Sequence, residues 1–171
     1  MFNGFGVSPL EIMASDAMIA GQVYIEAFTY SAAWIAGTAT ALAVSATLEV
    51  DIQINGDSDF VVQEMNMTVL SSASPPVLIP SQPLLITLSR AGSGRQLMNQ
   101  AQDVFNVVGS FQTGFVPARI PMPYLIQASN ILAVTLQNLS ATVAPGRVDI
   151  SFNGFKVFYT GGNRQAIFHV L

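Results

Sequence analysis

A two-residue alternation of apolar and polar side chains constrains what this chain can fold into more than any other feature. In Thr47–Ile54, Leu48, Val50, Ile52 and Ile54 alternate with Thr47, Glu49, Asp51 and Gln53. Only an extended strand puts every second side chain on one face, so the segment has one buried and one wet side. Asn55-Gly-Asp-Ser-Asp59 reads as a turn, since Asn-Gly readily takes positive φ. Phe60–Val69 then returns as a strand, which predicts a hairpin. Further strands are expected at Gln22–Tyr30, Thr38–Ser45, Leu84–Ser89 and Ile131–Asn138, at Arg147–Asn153 and Phe155–Thr160, which flank or span Gly154, and at Arg164–Leu171. Long helical patterns are absent, and one short helix is expected near Gln96–Phe105. About eight or nine strands with turns at this spacing predict an all-β chain: an antiparallel β-sandwich, jelly-roll-like.

The breaks between strands are marked by proline and glycine. Ser74-Pro-Pro76, Pro80 and Pro83 interrupt the first half, and Arg90–Asn106 is irregular, opening with Ala-Gly-Ser-Gly-Arg95. Pro117-Ala-Arg-Ile-Pro-Met-Pro123 is excluded from the centre of a sheet, because proline has no N–H for the ladder. Residues 1–20 fit a sandwich poorly. They read as a disordered tail or an arm that lies on a neighbour, and the arm is the preferred reading: the expected organisation is an extended N-terminal arm over 1–20 and a single sandwich domain over 21–171. The start of the chain lacks a basic cluster and an apolar core, so no signal peptide is expected. Ala27–Leu48 carries no charge. Its Ala content, Gly37 and the hydroxyls of Thr29, Ser31, Thr38, Thr40, Ser45 and Thr47 nevertheless argue against a membrane span.

Charged residues make up only 9% of the chain, against roughly 25% in ordinary soluble domains, while hydrophobic residues reach 51%. Such a surface is expected to bury additional area against partners. The charges are also segregated. Before residue 90 all charged residues are acidic: Glu11, Asp16, Glu26, Glu49, Asp51, Asp57, Asp59 and Glu64. After it come Arg90, Arg95, Arg119, Arg147, Lys156 and Arg164 against Asp103 and Asp149. Either the two halves pair within one fold, or a negative face of one subunit meets a positive face of the next.

Catalytic chemistry is poorly provided for. Without cysteine there is neither a disulfide framework nor a thiolate, which fits assembly in a reducing cytoplasm. His169 is the only histidine and Lys156 the only lysine, so a triad, a metal-binding His pair and a P-loop are excluded. Asp57 and Asp59, near Asn55 and Asp51, lack the ligand spacing of an EF-hand loop and read as turn-capping carboxylates. Gly92-Ser-Gly-Arg95 reads as a flexible loop rather than an anion cradle. A net charge of −4 with scattered single bases disfavours nucleic acid. No enzymatic activity, cofactor or metal is expected. Trp34, with Tyr24, Tyr30 and Tyr124, could form a sugar-stacking platform, but its Ala-rich surroundings favour a core or an interface.

The second half carries a layout with a counterpart elsewhere. Gly109 is followed by Pro117-Ala-Arg-Ile-Pro-Met-Pro-Tyr-Leu125, then by Asn130 opening an alternating strand that ends at Asn138. The closing strand is Val148-Asp-Ile-Ser-Phe-Asn-Gly-Phe-Lys-Val-Phe158; Asp59-Phe60-Val61-Val62 and Arg90–Asn99 look like the matching earlier strand and loop. Over roughly residues 48–160 this resembles small structural proteins of tailed bacteriophages, on spacing and texture rather than on an invariant motif. The Ala-rich N-terminal region departs from that layout. The resemblance implies a capsid cement (decoration) protein that binds across junctions of the major capsid protein on the surface of the virion, made and assembled in the host cytoplasm. It does not extend to the major capsid protein, which has a long spine helix. Partners would be that protein and copies of this chain, with no nucleic acid and no membrane. The candidate subunit-interface residues are Arg119, stiffened by Pro117, Pro121 and Pro123, together with Trp34, Arg90 and Arg95. The alternatives are a tail or neck component, or a carbohydrate- or receptor-binding jelly-roll module.

Overall fold

A computed structural model describes residues 23–79, 82–91, 95–108 and 118–159. The expected arm at 1–20, Pro117, His169 and the strand expected at Arg164–Leu171 lie outside the described residues. Nine strands and one short helix are described: β1 (Val23–Ile35), β2 (Thr47–Gln53), β3 (Asp59–Leu70), β4 (Leu84–Ala91), β5 (Arg95–Gln96), β6 (Gln102–Asp103), α1 (Val104–Val107), β7 (Ala118–Ile126), β8 (Ile131–Asn138) and β9 (Arg147–Tyr159). They form two antiparallel sheets. Sheet A has the order β1-β9-β3-β7; sheet B has the order β2-β8-β4-β5, with β6 also on β4.

The pairing is nested. β1 lies on β9, β2 on β8, β3 on β7, and β4 on β5 and β6. Over the described residues the chain is thus one long hairpin, its first described strand on its last, rolled so that successive pairs fall alternately into the two sheets. That is the jelly-roll arrangement, and it bears out the expected β-sandwich.

Alternation sets the faces. Phe28, Tyr30, Ala32 and Trp34 of β1, Val148, Ile150 and Phe152 of β9, and Met65, Met67 and Val69 of β3 turn inward from sheet A. Ile52 and Ile54, then Leu84, Ile86 and Leu88 of β4, then Leu132, Val134 and Leu136 of β8 meet them from sheet B. Each fully buried Val, Leu, Ile, Phe or Met among them contributes about 1.5–3 kcal/mol by leaving water. Tyr30 stands edge-on to Phe60 at 4.8 Å between ring centres, and its hydroxyl accepts the Asn55 N–H at 3.1 Å.

Midway along sheet A the phase changes. A bulge between Val62 and Glu64 shifts β3 against both neighbours, so the inward set passes from Phe60 and Val62 to Met65, Met67 and Val69. Gly154 of β9 sits opposite this bulge. A Cβ there would lie 1.8 Å from the Val61 carbonyl oxygen, so the close approach of the two backbones requires glycine.

Three expectations change. β2 and β3 are not a hairpin: they lie in different sheets, and β2 is tied across the core to β1 by the Trp34 indole. The Asn55–Ser58 turn carries the chain from one layer to the other, and Gly37, at φ 78°, is the one described glycine with positive φ. Thr38–Ser45 is a run of turns, not a strand. Thr38 Oγ1 donates to the Ile35 carbonyl at 2.7 Å and accepts the Thr40 N–H at 3.2 Å, a local alternative to the sheet ladder. Within the irregular stretch Arg90–Asn106 the helix is the single turn Val104–Val107, started by Asp103, whose carboxylate accepts the Phe105 N–H. The exclusion of the proline-rich segment from the centre of a sheet holds: what is described of it, from Ala118, is an edge strand. β7 pairs with β3 on either side of Ile120–Pro123 and not through them, which leaves Pro121 and Pro123 outside the ladder.

Candidate interaction surfaces

The candidate residues scatter over the fold, and each is placed by a different local cause. Trp34 belongs to the core of its own chain: it is 1% exposed, and its indole N–H donates to the Leu48 carbonyl at 3.2 Å, tying β1 to β2. It therefore leaves the interface set. Arg90, near the end of β4, is half-buried and donates from Nη2 to the Leu125 carbonyl at 2.9 Å, so it joins sheet B to β7. Its environment is also internal. Arg95 lies on β5 opposite Arg90.

Arg119 differs. It is exposed on edge strand β7, and register places it beside Glu64 of β3. Next to it is a groove of about 400 Å³ where β7 meets the β5–β6–α1 segment, lined by Leu97, Met98, Asn106, Val107, Arg119 and Tyr124 among others. The Tyr124 hydroxyl donates to the Leu97 carbonyl at 3.5 Å across the groove. The floor is apolar and the rim is amide-rich, with Arg119 as the one charge in its lining.

The other end of the sandwich, where the turns 54–58 and 127–130 lie, gathers the polar groups that sequence reasoning treated as turn caps. Asp59 is 1% exposed, and its two oxygens accept from the Ala128 N–H at 2.7 Å and the Tyr159 hydroxyl at 2.8 Å. It staples the β7–β8 turn and β9 to the start of β3. Lys156, 5% exposed, points to the core face opposite Phe60, with its ammonium 4.1 Å from the centre of the Phe28 ring and 3.9 Å from Asp57. Both groups are taken up by structural contacts. Among the described residues no cluster of three His, Cys, Asp or Glu could hold a metal ion, and no helix is long and apolar enough to cross a membrane.

Sequence reasoning missed a second buried polar centre. Gln82 and Asn138 are 2% and 1% exposed. Gln82 Nε2 donates to Asn138 Oδ1 at 2.9 Å and to the Val143 carbonyl at 3.1 Å. Asn138 Nδ2 donates to the carbonyls of Ala43 and Val143 at 3.0 and 2.9 Å, and its Oδ1 accepts the Ser140 N–H at 3.0 Å. Two amides thereby fasten the β1–β2, β3–β4 and β8–β9 loops together. The one hint in the sequence was an asparagine at an inward position of an alternating strand.

No known protein-family profile matches the chain, and no curated protein sequence does. Among solved structures it is similar to the VP2 subviral particle of infectious bursal disease virus, with a TM-score of 0.33 and 12% identity over 85% of this chain and 34% of that one. It is similar at the same TM-score and identity to dimeric latent PorU from Porphyromonas gingivalis, covering 78% of this chain and 13% of that one. A third likeness is to the Gt strain of infectious bursal disease virus, at a TM-score of 0.27 and 12% identity, with 85% and 35% covered. The chain spans about a third or less of these proteins. The fold assignment rests on the strand order itself.

Proposed function

We propose that this chain is a structural protein of a virus particle, a repeated part of the shell rather than a catalyst. Within that class we assign it to the cement proteins, which bind across junctions of the major capsid protein and hold the assembled shell. The observation that carries the reading is the combination of a jelly roll with a surface nearly empty of charge. On the outer face of sheet B the β4 and β8 positions are Leu85, Thr87, Ser89 and Ala91 beside Ile131, Ala133, Thr135 and Gln137, and that face carries the charges of Glu49 and Asp51 on edge strand β2. A tile that binds only the assembled lattice stabilises it by mass action, and it needs area and shape rather than reactive groups. Layout over residues 48–160 supports the same reading through its resemblance to small phage structural proteins.

Arg119 and the groove beside it are the proposed contact with the major capsid protein. The test is to raise antibody against the purified chain and probe gradient-purified particles from the producing host. The chain should co-sediment with particles in fixed ratio to the major shell protein. A chain found only in the free fraction refutes the reading.

A further inference from the structure

Three loops close the end of the sandwich at which β1, β3 and β8 finish: 36–46, the described residues 71–79 and 82–83, and 139–146. Their sequences contain no Asp, Glu, Lys, Arg or His, and no Trp, Tyr or Phe either. Beyond the buried Gln82–Asn138 pair they are cross-linked by backbone. Ser45 N–H donates to the Ser140 carbonyl at 3.0 Å, Ala36 N–H to Gly146 at 2.8 Å, and Gly146 N–H to Leu70 at 2.8 Å. Gly146 packs so closely on this frame that a Cβ would lie 2.3 Å from the Ser71 carbonyl oxygen. Out of the frame project Val44, Val77, Leu139 and Val143, 43%, 59%, 50% and 44% exposed. Among the described residues the other large hydrophobic side chain as open to water is Tyr24, at the opposite end. The first charge behind the loops, Arg147, is turned back along its own strand and paired with Asp149 at 2.7 Å.

The missing charge is informative because the rest of the chain has a net charge of −4. Where copies of one chain meet about a rotation axis, each residue near the axis faces its own counterpart, and any charge there meets its like. Such a contact selects uncharged side chains. A partner of different sequence imposes no such rule, and interfaces of that kind are anchored by aromatics and Arg. A bilayer-inserting tip carries Trp or Tyr with Lys or Arg at headgroup depth, and a sugar site needs an aromatic platform. This end has none of these.

We propose that the charge-free end is a self-association surface on which copies of this chain meet about a rotation axis. The inference rests on the reading of the chain as a repeated shell part, and it names the face by which copies meet. Because the chain has no cysteine, a single Val143→Cys substitution reports proximity without background. Purified full-length chain carrying it should form a covalent dimer under mild oxidation, in proportion to its association. Ser31→Cys, exposed on the outer face of sheet A, should not.

In sedimentation across a concentration series, Leu139→Glu and Val143→Glu should weaken association at least about tenfold, since like charges set face to face cost more than one decade of affinity. Ser31→Glu should leave it unchanged. Circular dichroism identifies any variant that has unfolded, and Val44→Cys then replaces it. A monomer at every concentration, equal dimer yield from Ser31→Cys, or capture of the chain by neutral phosphatidylcholine vesicles through Val143 overturns the proposal. Association through this end by a chain absent from particles would remove the shell reading alone. A chain present in particles but monomeric in solution would remove the contact alone.

Discussion

Asn138 offers the sharpest test of how the loop end is held. Replacing it with alanine removes both Nδ2 donations, the acceptor used by Gln82 and the acceptor used by the Ser140 N–H. The Val143 carbonyl keeps its second bond from Gln82, so three groups lose a partner: the Ala43 carbonyl, one Gln82 proton and the Ser140 N–H. A buried polar group left unmatched costs about 1–3 kcal/mol. These groups lie under surface loops, where water can reach some of them after truncation, so the lower half of the range applies. Asn138→Ala should therefore destabilise the chain by about 3–6 kcal/mol. For a chain of this size, at about 2–4 °C per kcal/mol, that corresponds to a fall of roughly 6–24 °C in Tm. Gln137→Ala, one residue away but on the outer face, should change stability by less than about 0.5 kcal/mol. Urea titration and thermal melts followed by circular dichroism read both. A loss below about 1 kcal/mol for Asn138→Ala would mean that the amide pair does not hold the loops.

Two other substitutions test the opposite end and the groove. Lys156→Met should leave stability unchanged or raise it by up to about 2 kcal/mol in urea titration. A desolvated ammonium with its carboxylate 3.9 Å away recovers little of the cost of burial, and methionine fills the same space against Phe28; a clear loss would show that the contact with the ring outweighs desolvation. Arg119→Ala should leave stability within about 0.5 kcal/mol of the parent while lowering occupancy on particles, measured by quantitative immunoblot, and equal loss of folding and of binding would make Arg119 a structural residue.

Strands were legible in the sequence because period-two alternation has one physical cause. Ile131–Asn138 and the strands around Phe60 and Val148 appear where the alternation puts them. Alternation says which face is buried, however, and not which strand lies alongside. The Asn55-Gly56 turn looked like a hairpin because that dipeptide is favoured there, yet both flanking strands carry a full apolar face. Two such faces are satisfied by stacking across a core as readily as by lying side by side. Thr38–Ser45 failed differently: its alternating Thr and Ala give the pattern of a strand without apolar mass, since only Leu42 is buried, and hydroxyl-to-backbone bonds captured the segment as turns. The prolines of β7 were read correctly as unfit for a central strand, and the bulged edge is the solution the fold found.

The same nesting accounts for the charge segregation and explains why the loop end could not be seen in advance. A chain rolled as one long hairpin lays its early strands on its late ones, so an acidic first half and a basic second half are brought together within one subunit. Register sets Glu26 opposite Lys156 and Glu64 opposite Arg119. Glu49 and Asp51 fall on the wet face of edge strand β2, where Thr135 donates to Glu49 at 3.0 Å. Separating the charges by half of the chain therefore sets some acids beside bases within one subunit, while the loops 36–46 and 139–146 carry no charge at all. Each loop alone is an ordinary Ala-, Ser- and Pro-bearing turn. Only the rolled hairpin collects 36–46, the described residues 71–79 and 82–83, and 139–146 at one end, and only there does the absence of charge in each become a continuous surface on which identical copies can meet without repulsion.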